Sequence, residues 1–396
     1  MAVSLAIIVL LGIVSHQIFV RLRLPGFLGI LFLGMAIGPY GADWIDESIL
    51  LVSADLRNIA LVIILLRAGL GLNLQTLKMV GMPALRLGFI PVIIEGIIIM
   101  FIAAWLLGIS LVEAGMLGFI IAAVSPAVIV PKMLSWMELG KGADKGIPSM
   151  ILAGASLDDV VAITIFSSFA GYYAGSGLNI AGQIFIIPLS ILTGVLAGAL
   201  TGFTLLFLFK RFNIRHTKKI LVILASAIFL TYAEDLLQNI IPLAALLGVM
   251  VIGFVILERN PSLGMEMSVR YGKIWVFAEI LLFFLVGAEV NIMLAGETGL
   301  IGLVIIFAGL TARAIGVYFS LSGTNFSLKE KGFCILAYSP KATVQAAIGS
   351  IPLAMGAPAG EIILTLAVLA IIITAPLGAI SMNIAGEKVL KGKFPD

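Results

Sequence analysis

Thirteen apolar runs punctuate this chain from end to end, and the short links between them hold most of its charge. They lie near residues 2–20, 25–40, 53–72, 83–107, 114–134, 146–173, 180–210, 217–233, 240–257, 272–290, 297–321, 331–352 and 361–384. About 20 apolar residues in a helix cross the hydrocarbon core of a bilayer. Inside lipid every backbone N–H and C=O must be satisfied by the protein itself, which leaves helices and closed barrels as the spanning structures. Composition agrees: 11% of residues are charged, against about 25% in a soluble domain. The expectation is an all-α polytopic membrane protein with about 13 transmembrane helices.

The same census excludes several classes. A single cysteine, Cys334, rules out an internal disulfide, and two histidines give no metal cluster. The net charge of +3 sits in the links and carries no signal for nucleic acid. No basic region precedes the first run, so it reads as a spanning helix and not as a cleaved signal. Glycines spaced by four, at 34 and 38 and at 194, 198 and 202, suit close helix packing in lipid. No cofactor is expected.

Charge sorts the links into two faces. After the odd-numbered runs come Arg21 and Arg23, Lys78, the group from Lys132 to Lys145, the cluster from Lys210 to Lys219, the group from Arg259 to Lys273, and Lys329 with Lys331. Lys388, Lys391 and Lys393 follow the last run. After the even-numbered runs come Asp43 and Glu47, Glu113, Glu234 and Asp235, Glu297 and Glu361, with one uncharged link near 174–179. The positive-inside rule makes the basic face cytoplasmic, with the N-terminus outside and the C-terminus inside. In a bacterium that membrane would be the plasma (inner) membrane.

An internal repeat runs through the chain. The third run ends Ala68-Gly69-Leu70-Gly71-Leu72-Asn73, and the tenth ends Val286-Gly287-Ala288-Glu289-Val290-Asn291, an offset of 218. Ser125-Pro126-Ala127-Val128 in the fifth run answers Ser339-Pro340-Lys341-Ala342 in the twelfth, an offset of 214. Pairing run n with run n+7 is an odd shift, so the two repeats have inverted topology, as in secondary transporters. Pro126, Pro131 and Pro340 remove backbone donors inside the fifth and twelfth runs. Ordinary proline kinks are the competing reading, and the matched placement in both repeats argues against it. The two runs are expected to be broken helices at a binding site, with Ser125, Pro126, Pro131, Ser339 and Pro340 marking the breaks.

Few charges lie deep within runs: Glu95, Asp158, Asp159, Glu279, Arg313 and Lys341. Arg67, Arg86 and Glu289 lie near run ends, where a long side chain reaches the interface. Glu95 and Arg313 are 218 apart, so they occupy equivalent places in the two repeats and read as a buried ion pair beside the site. Lys341 follows a break, where its ammonium would offset the negative end of a half-helix or, once desolvated, titrate. Glu279 reads as a packing acid.

Asp158 and Asp159 stand mid-run within Gly154-Ala155-Ser156-Leu157-Asp158-Asp159. Adjacent residues on a helix point about 100° apart, so one acid can face an ion path while the other faces a packing partner. A partly dehydrated aspartate binds a proton or a small hard cation such as Na⁺ or Li⁺, and competition between the two under alternating access is an exchanger. Ser156, Thr343 and carbonyls freed at the breaks would complete the oxygen shell.

These strings resemble those of the monovalent cation/proton antiporters, in the CPA2-type branch with NapA-like and animal NHA-type sodium/proton exchangers. The resemblance rests on Ala123 to Pro131, on Gly154 to Thr164 and on Ser339 to Gly349. It implies an NhaA-like fold with two crossed broken helices, with Asp159 as principal ion ligand and Asp158 assisting or paired with a base. It also implies a homodimer in membrane lipid. A core of residues 76–175 and 294–388 would move against a scaffold of residues 1–75 and 176–293 in an elevator-like stroke. Electrogenic NapA-type members carry lysine where this chain has Arg313, which leans towards electroneutral exchange here.

Three other classes compete, of which a channel would need a filter-like ring of repeated loops that the sequence does not show. A cation-coupled symporter on the same architecture would need a larger polar cavity than these few deep polar residues provide, and K⁺ remains open beside Na⁺ and Li⁺. An intramembrane aspartyl protease needs acids that face each other from two helices, which neighbours on one helix do not offer. The expectation is therefore a transporter and not an enzyme.

Overall fold

The computed structural model describes the backbone of residues 1–22, 24–72, 74–142, 144–175, 180–212, 215–237, 241–290 and 292–390. Side chains at 75–77, 79, 80, 126, 127, 131, 134, 138, 180–188, 235 and 292–298 are likewise outside the description. Asn73, Asn291, Lys391 and Lys393 fall outside it, as do the link near 176–179 and the side chains of Pro126, Pro131, Asp235 and Glu297.

Among the described residues the chain is helical and holds no strand. The first part of the chain forms α1 (Ala2–Arg21), α2 (Gly26–Ile37), α3 (Glu47–Leu51), α4 (Ser53–Gly69) and α5 (Leu74–Leu107), the last interrupted at Gly81, whose φ is +47°. Next come α6 (Leu111–Ala122), α7 (Pro126–Glu138) and α8 (Ile147–Tyr173). The middle of the chain forms α9 (Ile180–Arg211), α10 (His216–Leu237), α11 (Ala245–Arg259) and α12 (Pro261–Ala288). The last third forms α13 (Ile292–Ser320), α14 (Leu328–Ala337), α15 (Thr343–Ile348), α16 (Ile351–Ala354) and α17 (Gly360–Val389). Among the described residues eight helices are long and apolar enough to cross a bilayer, among them α8, which is mostly buried although it carries two aspartates. The protein is an integral membrane protein.

The chain packs as two compact units. The first comprises Met1–Ala54, Thr76–Ser176 and Ile280–Asp396. In it α2 lies on the end of α12: a Cβ on Gly34 would overlap the Phe284 carbonyl, and one on Gly287 would overlap that of Leu31. Hydrogen on both glycines lets the two backbones touch, which is the main source of helix attraction where lipid is as apolar as the side chains.

The same unit holds two capping boxes 217 residues apart, which report the repeat at the level of hydrogen bonds. Ser110 caps α6 while Glu113 reaches back, and Ser327 caps α14 while Glu330 reaches back. Each glutamate also ties its helix to the approach of another. Glu113 Oε1 accepts from the Ala359 N–H at 2.9 Å, just before α17, and Glu330 accepts from Lys145 Nζ at 2.8 Å, just before α8.

The second unit comprises Asp55–Gln75 and Gly177–Glu279. Gly194, Gly198 and Gly202 of α9 lie against Ala244, Gly248 and Val255 along α11, so the small-residue stripe is a packing seam. Tyr271 donates its hydroxyl to the Ile220 carbonyl at 2.9 Å, and Glu266 joins His216 of α10 to Arg270 of α12. Glu279 belongs to this unit.

Candidate functional site

The site grows out of two helix breaks in the first unit. A residue before proline is pushed out of the α region, and proline itself is best placed at a helix start. Ser125 is accordingly extended (φ −95°, ψ 109°), and α7 begins at Pro126. The same pressure from Pro340 keeps Ser339 outside a helix, so α14 stops at Ala337 and α15 starts only at Thr343. The two gaps meet: the Ser125 N–H donates to the Pro340 carbonyl at 2.8 Å, and the Thr343 N–H reaches Ser125 Oγ at 3.4 Å. Ser125 Oγ and Thr343 Oγ1 also lie 3.4 Å apart. Backbone freed at each break is thus partly satisfied by the other break, inside protein.

Five ionisable side chains converge on this crossing. Their exposures are 0% for Glu95, 0% for Asp158, 2% for Asp159, 1% for Arg313 and 0% for Lys341, so none is hydrated by bulk water. Arg313 of α13 donates Nε to Glu95 Oε2 of α5, Nη1 to Asp158 Oδ1 at 3.1 Å, and Nη2 to the Ala122 carbonyl. Lys341 Nζ also donates to Glu95 Oε2, at 2.8 Å, and to the Ala122 carbonyl at 3.1 Å. The α5–α13 approach that permits this depends on Gly316, whose Cβ would lie 2.6 Å from Pro91 Cα.

Neighbouring aspartates fare differently. Asp158 accepts from Arg313 and from the Val124 N–H, at 3.0 Å, and is held in place. Asp159, the next residue, presents an Oδ1 that receives no hydrogen bond from the protein, as does Oε1 of Glu95. Ser156 spends its hydroxyl hydrogen on the Leu152 carbonyl of its own helix, at 2.9 Å, which leaves its oxygen lone pairs.

The carbonyl end of α6 shows what charge-based reading of the sequence missed. Gln345 Nε2 lies 2.9, 3.3 and 2.7 Å from the carbonyls of Ile120, Ile121 and Ala123. Thr374 Oγ1 accepts from the Lys341 N–H at 2.9 Å, and the Tyr338 ring lies 6.0 Å from the Arg313 guanidinium. All three are deep uncharged polar residues, so a count of polar groups within the apolar runs would have singled them out. The capping boxes, too, were legible as Ser-x-x-Glu.

A net count gives the arrangement its chemistry. With three acids and two bases in a volume closed to water, full ionisation would leave one negative charge, and a buried uncompensated charge is strongly unfavourable. One proton or one monovalent cation at Asp159 would remove it. Among the described residues no group of three or more metal-ligating side chains exists, so a divalent or transition-metal site has no ligand set.

A sequence profile described as sodium/hydrogen exchanger, transmembrane, matches residues 5–387. Sodium/hydrogen exchanger 9B2 of Xenopus tropicalis is 38% identical over 354 residues, 86% of this chain and 64% of that protein. The protein of the same name from Mus musculus is 33% identical over 381 residues, 93% of this chain and 69% of its own length. The chain therefore spans 64% and 69% of these two relatives. In architecture it matches the sodium proton antiporter MjNhaP1 from Methanocaldococcus jannaschii, with a TM-score of 0.84 over 97% of each chain at 21% identity. A profile match that runs through both helix breaks and the aspartate pair makes this chain a member of the sodium/hydrogen exchanger family.

Proposed function

We propose that this protein exchanges Na⁺ or Li⁺ for H⁺ across the membrane by alternating access, with cation and proton competing for Asp159. The observation that carries the reading is Oδ1 of Asp159, buried in a cluster of three acids and two bases and lacking any donor from the protein. Asp158 is already committed to Arg313 and the Val124 N–H, so the excess charge falls on its neighbour. A proton and a monovalent cation neutralise it equally well, and they cannot both do so at once. Thr343, Ser156 and break carbonyls complete the oxygen shell when the cation is bound.

In this reading Glu95, Arg313 and Lys341 hold the crossing and do not travel through it. Exchange is one for one and electroneutral, because Arg313 cannot in practice release a proton and Lys341 is gripped by Glu95 and Ala122. The moving core comprises residues 76–175 and 294–388, and the scaffold residues 1–75 and 176–293. That division is one of motion and not of packing density. The protein is a homodimer with its C-terminus in the cytoplasm. K⁺/H⁺ exchange and cation-coupled symport are the alternatives.

Collapse of a preset pH gradient in proteoliposomes on addition of Na⁺, Li⁺ or K⁺ tests the reading. Wild type should move protons with Na⁺ or Li⁺, and Asp159→Asn should move none. Undiminished exchange in Asp159→Asn would remove Asp159 from the path. Proton movement with K⁺ alone would favour the K⁺ alternative.

A further inference from the structure

A half-helix that ends inside the membrane leaves its last carbonyls unpaired, and together they form the negative end of a dipole. At the end of α6 two kinds of group answer this. Arg313 and Lys341 share the Ala122 carbonyl. One neutral side chain, Gln345 of α15, serves Ile120, Ile121 and Ala123, with Ala123 nearest at 2.7 Å. A primary amide carries two N–H donors, so three carbonyls share two hydrogens. Gln345 is fully buried, and its own Oε1 receives no donor from the protein.

The Ala123 carbonyl and the Val124 N–H belong to one peptide unit, which is planar. Gln345 grips the oxygen of that unit, and Asp158 accepts from its hydrogen at 3.0 Å. The plane is therefore clamped at both ends, across the two repeats, beside Asp159, whose Oδ1 has no donor from the protein. The following peptide is pinned as well, since the Ser125 N–H donates to the Pro340 carbonyl. Because the clamp is an amide, it caps the half-helix without adding charge. A cationic residue at 345 would cancel the negative excess that gives the cluster its need for a cation.

Discrimination between cations of one charge depends on cavity size, ligand number and stiffness. We propose that Gln345 is a positioning residue that sets the Li⁺/Na⁺ preference, by fixing the Ala123–Val124 peptide against Asp158 and so the width of the site at Asp159. This deepens the exchange reading and rests on it.

Two variants separate the clamp from bulk packing. Gln345→Met keeps the length and removes both donors. Gln345→Glu keeps the shape and, protonated, retains one donor. Apparent KM for Na⁺ and for Li⁺ is measured in proteoliposomes separately from the maximal rate, at one pH. The ratio of the two KM values should shift about fivefold or more in Gln345→Met, by more than the maximal rate falls, with Gln345→Glu between it and wild type. An equal loss of rate with both cations, at a KM ratio within about twofold of wild type, would show that Gln345 only packs and would overturn the proposal. Should Gln345→Met not fold, Gln345→Glu decides: a ratio more than about twofold from wild type supports the proposal, and one within about twofold overturns it. If wild type exchanges no cation, the exchange reading fails and this one with it. An unchanged ratio in variants that exchange sinks this one alone.

Discussion

At the scale of the residue, Asp158 and Asp159 are the same chemical group in adjacent positions, yet their removal should have opposite effects on stability. Asp158 anchors Arg313, which is 1% exposed. Asp158→Asn leaves that guanidinium with Glu95 and the Ala122 carbonyl, and breaking a buried pair costs about 3–5 kcal/mol. Asp159→Asn takes away an uncompensated charge and replaces it with a neutral amide. Thermal unfolding in detergent, without Na⁺ or Li⁺, should show a lower midpoint for Asp158→Asn and an equal or higher one for Asp159→Asn. A drop of similar size in both would mean that Asp159 has a structural partner. A pH dependence follows from the proposed competition at the same residue. Where Asp159 is mostly protonated in the absence of cation, each unit of acidification should raise the apparent KM for Na⁺ about tenfold. A KM independent of pH throughout would contradict competition.

At the scale of the element, the two capping boxes make a controlled pair. Both hold the start of a half-helix, at places 217 residues apart, and loss of such a cap costs about 1 kcal/mol. Their surroundings differ. Glu113 is 6% exposed and receives a neutral backbone N–H, while Glu330 is paired with Lys145, whose side chain is 33% exposed. Salt screens the second and hardly touches the first. Glu330→Ala should therefore lose part of its destabilisation when choline chloride is raised from low to high concentration, and Glu113→Ala should not. Unfolding midpoints for both variants across a choline chloride series check this, with choline chosen because it is too large to occupy a Na⁺ site.

At the scale of the whole molecule, a one-for-one exchange moves no net charge. Proton flux driven by Na⁺ in proteoliposomes should keep the same rate when a K⁺ gradient and a K⁺ ionophore impose a membrane potential of either sign. A rate that follows the potential would show that a second proton travels, and Lys341, the base of the buried cluster able to release its proton, would be the residue to test first.

Much of this was written in the linear chain. The apolar rhythm left helices as the structure, because lipid tolerates no unpaired backbone. Pro126 and Pro340 announced the two breaks, since the loss of an N–H and the restriction on the preceding residue are local effects. The offset of 218 named Glu95 and Arg313 as partners before any coordinates, since an inverted repeat maps one onto the other. What tertiary structure alone decided is which oxygen is left without a donor. The Val124 N–H that holds Asp158 and the carbonyls that Gln345 gathers are backbone groups, identical at every position of the sequence and distinguished only by what folds against them. Sequence fixes which side chains carry charge, while hydrogen-bond satisfaction at a crossing of two broken helices is a property of three-dimensional contacts between residues from 34 to more than two hundred positions apart.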